Sequence, residues 1–307
     1  MSTNADKKTG VVLMSYGSAT TAPHVAEYFK RIYKGKESQA LILDFENRYR
    51  LVGHSPLVEI TKKQASLLQE KLGKNYVVCA GMRHSEPFIE KAVTECKEGG
   101  ATKLVGIILS PQFSSFVMEG YKTSFMGAAQ TACISEAVIA LPWPSQDRFI
   151  ELLTTHIKDA LTKIKADLGL DAPVIFTTHS LPKRVIENDP SYLEQLQATI
   201  NAVTEKLPLN LKWYAGYQSA GHTPEEWLKP DLVSILAKLH EQKITAVLIV
   251  PIQFLADHLE ILYDLDIAVR KQCEEFSIAY NRIELPNTDG LFIDVLADIA
   301  RRTEISI

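Results

Sequence analysis

The sequence predicts an α/β protein of two similar halves, each a mostly parallel four-stranded sheet flanked by helices, with a cleft between them. Three observations predict it. Short apolar runs alternate with amphipathic segments along the chain, the pattern of buried strands covered on both faces by helices. Paired motifs recur at a nearly constant offset, with no linker or low-complexity tract between them. The composition, 46% apolar and 23% charged over 307 residues, suits one large domain or two packed halves.

Taken in order, residues 11–15 form a β-branched apolar run, 25–32 and 59–71 carry helical periodicity, and 76–80 reads as a second strand. A helix over 87–97 and strands at 104–109 and 137–141 complete a first half, residues 1–145. The second half, 146–307, reads as helix 148–168, strand 174–178, helix 192–206, strand 212–215, helix 230–240, and strands 246–250 and 278–283. A last helix, 290–304, is expected to pack back on the first half.

The repeats define the duplication. Ala80-Gly81 precedes a polar turn and Glu86-Pro87, as Ala215-Gly216 precedes Pro224-Glu225. Pro111-Gln112-Phe113 and Pro251-Ile252-Gln253-Phe254 each follow a buried strand, and Leu141-Pro142 leads to Phe149 as Leu285-Pro286 leads to Phe292. Counted at Ala80 and Ala215, Gln112 and Gln253, and Phe149 and Phe292, the offsets are 135, 141 and 143, which favours a duplicated unit. Tyr16 and His179 are 163 apart. The first half therefore carries roughly 25 extra residues within 19–57, at a strand's carboxyl end, where loops build the mouth of a cleft.

Composition excludes several classes. A net charge of -4 gives no electrostatic footprint for nucleic acid. Cys79, Cys96, Cys133 and Cys273 are scattered without C-x-x-C spacing, against a zinc ribbon or disulfide framework and in keeping with a reducing cytosol. The polar start MSTNADKKTG has no apolar signal core and no apolar run is long enough to span a membrane. The expected location is cytoplasmic.

Residues 246–266, AVLIVPIQFLADHLEILYDLD, hold the densest candidate chemistry. Asp257, Glu260 and Asp264 lie at i, i+3 and i+7, so one helix face would carry all three, with His258 beside them. Acids in a first turn also favour the helix dipole, and taken alone that explanation is equally good. The duplication tips the balance: Gln112–Glu119 takes the corresponding place in the first half, so the acids line one wall only. The other candidates at that cleft are Tyr16 and His179. Carboxylate and imidazole suit a divalent cation or proton transfer. His179 could equally be a hydrogen-bonded strand-end histidine, and Tyr16 a core aromatic. G-x-S-x-G, G-x-G-x-x-G and P-loop patterns are missing from these motifs.

Met14-Ser15-Tyr16-Gly17, Arg48-Tyr49, Ser55-Pro56-Leu57, His84 with Glu86-Pro87-Phe88, Pro111-Gln112-Phe113-Ser114, Thr178-His179-Ser180-Leu181-Pro182, Tyr217-Gln218-Ser219, Glu226-Trp227-Leu228-Lys229-Pro230 and Asp257-His258-Leu259-Glu260 occur together and in this order. In this the chain resembles the ferrochelatases over nearly its whole length, and among them the short, soluble Gram-positive type. The resemblance implies two Rossmann-like halves of chelatase type and insertion of ferrous iron into a porphyrin in haem biosynthesis. Tyrosine at position 16 resembles the branch that metallates coproporphyrin III rather than protoporphyrin IX. Carried over by motif, His179 and Glu260 are catalytic, their shares of metal delivery and proton acceptance left open. Asp264 would extend an acidic metal path, and Tyr16 would lie across the macrocycle and ligate product iron. Arg48, Tyr49, Ser55 and Tyr121 would contact the porphyrin, and Arg31 and Lys34 would meet its propionates. The resemblance implies no tightly bound cofactor, with Fe2+ as substrate metal, a monomer, and transient contact with neighbouring haem-pathway enzymes.

Three departures from the family pattern stand out. Ile32-Tyr33-Lys34 replaces an arginine after the first helix, Val52-Gly53-His54 is one residue short before Ser55, and Ala268 replaces an outer acid. That last change is expected to weaken an outer magnesium site. Two alternatives are a sirohydrochlorin chelatase, which would not be expected to carry D-H-L-E with S-P-L, and a non-catalytic haem-binding or transfer protein, which would not need the Glu260–Asp264 row.

Overall fold

The computed structural model describes residues 7–306. Eight strands form two four-stranded, wholly parallel sheets. The first has the order β2-β1-β3-β4, from β1 (Lys8–Ser15), β2 (Tyr76–Met82), β3 (Ala101–Ile108) and β4 (Glu136–Ile139). The second repeats it as β6-β5-β7-β8, from β5 (Val174–His179), β6 (Trp213–Gln218), β7 (Ala246–Pro251) and β8 (Ala279–Arg282). β1 and β7 are buried almost end to end, as strands covered on both faces must be. Register aligns the last residues of the strands: Ser15 pairs with Met82, and His179 with Gln218. The carboxyl ends of β1, β2, β5, β6 and β7 thus supply the loops around one cleft.

The helices are α1 (Val25–Tyr33), α2 (Gln39–Val52), α3 (Leu57–Leu72), α4 (Ile89–Glu98), α5 (Ser115–Thr131), α6 (Asp147–Leu168), α7 (Lys183–Asn188), α8 (Ser191–Thr204), α9 (Leu232–Glu241), α10 (Arg270–Glu275) and α11 (Gly290–Glu304). α9 starts two residues later than its periodicity suggests because Asp231 caps it, accepting from the Ser234 amide at 2.8 Å. Sequence periodicity missed α2, α5 and α7. In α5, Gly120 and Gly127 weaken the helical signal. Gly120 leaves room for Arg83, whose guanidinium would lie 2.0 Å from a Cβ there and would have to move aside.

Residues between β1 and α3 hold α1 and α2, which pack with Leu259 of the second half in a small core of Val25, Phe29, Ile42 and Tyr49. A larger core runs through both halves, joining Leu13, Val105 and Phe149 to Phe176, Leu248 and Phe292. α11 lies against α3 and α6 and beside β3 and β4. Its Glu304 accepts from Thr9 Oγ1 at 2.5 Å and Lys103 Nζ at 2.9 Å, so the end of the chain is tied to the first sheet.

Between β7 and α10 the chain forms a π-helix, Glu260–Val269, whose i→i+5 bonding widens the turn. The expectation that Asp257 shares the acidic face of one helix is corrected here. The helix begins beyond it, and Asp257 turns away to accept from Asn287 Nδ2 at 2.8 Å.

Candidate active site

His179 ends β5, and its backbone is held from two sides. Its amide donates to Gln253 Oε1 at 3.0 Å, and the buried Tyr192 hydroxyl reaches both its carbonyl and Gln253 Oε1 at 3.0 Å. Its Nδ1–H donates to the Ser180 carbonyl at 2.5 Å, leaving Nε2 as the one ring nitrogen free for chemistry. Nε2 lies 3.6 Å from Glu260 Oε2. His258 repeats the arrangement: Nδ1–H is committed to the Ala256 carbonyl at 2.9 Å, and Nε2 lies 3.7 Å from the same oxygen. One carboxylate therefore faces two imidazole nitrogens. Glu260 keeps 34% and His179 30% of their side-chain surface, so the pair is accessible at the floor of a cleft.

Burial opposes charge on both groups, yet each favours the charged form of the other. Burial would lower the His179 pKa, but Glu260, with the Ser180 carbonyl and Asp264, raises it. Burial would raise Glu260, but His179 and His258 hold it well below the usual carboxylate range. One helical turn on, Asp264 accepts from Ser219 Oγ at 2.5 Å and meets Arg48 Nη1 at 3.4 Å. Burial and the Glu260 charge outweigh those partners and push its pKa up to about 6. A divalent cation held at Asp264 should therefore bind more tightly as pH rises through about 6, where the carboxyl loses its proton. Anaerobic titration with ferrous iron from pH 5 to 8 checks this: the apparent Kd should fall through that window, and Asp264→Asn should flatten the change.

Tyr16 stands on the opposite wall, 38% exposed, tilted against His84 with ring centroids 4.6 Å apart. Burial pushes its hydroxyl up to about 12, with Arg83 opposing and Glu260 adding to the shift. The Tyr16–Gly17 turn needs glycine: Gly17 has φ +92°, and a Cβ there would sit 2.5 Å from Ser85 Oγ. Its carbonyl accepts from Tyr28 OH at 2.9 Å. Burial, then Arg83, lowers His84 to about 4, so it is neutral at physiological pH.

The remaining sequence candidates divide into three groups. Tyr121 is buried below Arg83, whose guanidinium lies 5.7 Å from its ring. Tyr49 is buried with its hydroxyl 2.8 Å from Ser18 Oγ, and Ser55 is buried with an unpaired hydroxyl. Arg31 and Lys34 are exposed at α1, Arg31 paired with Glu27 at 2.5 Å and lying 5.3 Å from the Phe88 ring. Arg48 is committed within the protein: it pairs with Asp44 at 2.8 Å and Asp264 at 3.4 Å and stacks on Phe45 and Tyr263. It thereby ties α2 to the π-helix across the cleft mouth. Ala268 adds no donor beyond Asp264. Among the described residues no three His, Cys, Asp or Glu side chains close into a metal cluster, and the donors form an open row. Sequence reasoning did not single out Arg83 or Tyr28, and named Ser219 only within a motif. Arg83 and Ser219 directly follow β2 and β6, and position at a strand's carboxyl end was the usable signal.

Paired parallel sheets with this cleft define a chelatase fold. The chain superimposes on SirB from Bacillus subtilis with Fe3+ at a TM-score of 0.59 and 13% identity, over 97% of this chain and 96% of that one. It matches the sirohydrochlorin chelatase SirB from Bacillus subtilis subspecies spizizenii in complex with cobalt at 0.60 and 12%, with the same coverage. Within that class, the Ferrochelatase family model matches residues 8–304, and the chain belongs to the ferrochelatase family. It is 35% identical to a coproporphyrin III ferrochelatase of Geobacillus sp. (strain WCH70), over 96% of this chain and 97% of the relative. It is 32% identical to one of Bacillus subtilis (strain 168), over 95% and 97%.

Proposed function

We propose that this ferrochelatase inserts ferrous iron into coproporphyrin III, with loss of two pyrrole protons, and works in the cytoplasm as a monomer. The carrying observation is the His179–Glu260 pair, whose Nε2 and Oε2 lie 3.6 Å apart in an accessible cleft facing Tyr16. A flat macrocycle hides its nitrogen lone pairs. A cleft gripping it between the Tyr16 wall and the His179 wall spends binding energy on bending it. Glu260, between two imidazoles, takes one pyrrole proton, and the Nε2 of His179, after giving its own proton to solvent, takes the second; both protons then leave to solvent. Asp264 hands iron inward from the solvent end of the row, and Arg31, Lys34 and Arg83 meet the substrate carboxylates.

Several features support this reading: the family, relatives that carry that substrate in their names, and Tyr16 on the cleft wall. Among the described residues no helix is long and apolar enough to cross a membrane. Anaerobic metallation followed by absorbance tests the proposal. Coproporphyrin III should convert faster than protoporphyrin IX. The reverse order would replace the substrate, and tight binding of both without metallation would replace the enzyme by a haem carrier.

A further inference from the structure

We infer that Arg282 is a positioning residue that sets the rotation of the π-helix, and through it the aim of Glu260 and Asp264; this rests on the function proposed above. The guanidinium sits on β8, 14% exposed, and grips Asp266 as a two-pronged fork: Nε to Oδ1 at 2.9 Å and Nη2 to Oδ2 at 2.7 Å. Tyr280 OH donates to the same Oδ1 at 2.9 Å. Nη2 also faces Asp257 Oδ1 at 3.5 Å, and Asn287 fixes Asp257 by two hydrogen bonds, at 2.8 and 2.9 Å. Nη1 is anchored on the Ile283 carbonyl at 3.0 Å. One cation therefore holds the chain on both sides of Glu260, at Asp257 before it and at Asp266 after it.

This hold matters because a π-helix has little intrinsic preference for its own geometry. Ile261, Leu265 and Val269 bury one face and set how deep the helix lies, but apolar packing is non-directional. A planar fork fixes direction. If the fork were lost, relaxation toward α-helical bonding would turn Glu260 relative to His179 Nε2 and carry Asp264 away from Ser219. The wall that holds Tyr16, Arg83 and Tyr121 belongs to the other half and would be untouched. The expected defect is therefore in metal handling, with porphyrin binding spared.

Arg282→Lys, which keeps the charge and loses the fork, and Asp266→Asn, which keeps the shape and loses the charge, test this. Each should raise the KM for ferrous iron about tenfold, the low end for removing a group that orients metal ligands. The porphyrin Kd, read by fluorescence quenching, should not move. Amide hydrogen exchange should quicken across residues 259–270 while β5 and β7 keep their protection. An unchanged KM and unchanged exchange would overturn the inference, as would a loss of activity that only tracks lost folded protein. Exchange is read without turnover. A wild-type chain that inserts no iron would therefore refute the proposed function, and the exchange comparison would still decide whether Arg282 holds the π-helix.

Discussion

Replacing Glu260 by alanine is expected to lower kcat for iron insertion by about 10²–10⁴-fold, the usual contribution of a positioned acid–base group. The porphyrin Kd should stay within about twofold, because the loss falls on interactions formed as the reaction proceeds rather than on uniform binding. Glu260 is the anion that both free imidazole nitrogens face, at 3.6 and 3.7 Å. Removing it leaves His179 with burial, the Ser180 carbonyl and the weaker influence of Asp264. The sign follows: Glu260 now raises the His179 pKa against burial, so in Glu260→Ala the imidazole should lose its proton at lower pH than in the wild type. Stopped-flow metallation gives the first result and an NMR titration of the imidazole the second. Unchanged metallation would sink the role given to the pair.

Phe292→Ala should unfold the protein more readily without touching its chemistry. Phe292 is fully buried in the core shared by both halves, near the start of α11. Truncating a buried phenylalanine costs about 3–5 kcal/mol, a drop of roughly 10 °C in Tm for a chain of this size. α11 is also held by ion pairs from Asp294 to Lys71 and Arg148, and from Asp298 to Arg148 at 3.2 Å. The core spans both sheets, so the two halves should melt together. Differential scanning calorimetry would show one transition moved downward, whereas two separated transitions would contradict a shared core. The same truncation at the fully exposed Leu209 should leave Tm unchanged. In both variants the KM values measured at 20 °C should match the wild type.

The central strands β1, β3, β5 and β7 were legible because each contains a short apolar run, and burial on both faces makes such runs continuous. Duplication was legible because Ala-Gly, Gln-Phe and Leu-Pro pairs recur in the same order, and motif order likewise pointed to His179 and Glu260. Helix α5 was hidden because Gly120 and Gly127 lower its helical propensity, and Gly120 answers to a distant side chain, Arg83. Asp257 was misplaced because α-helical spacing assumed a helix that in fact begins at Glu260 and is widened. Only the tertiary structure decided that Arg48 spans to Asp264, that His258 shares Glu260 with His179, and that Arg282 brackets the π-helix. These contacts are set by geometry in three dimensions. Local periodicity reports which side of an element is buried, but it carries no record of which charge it meets there.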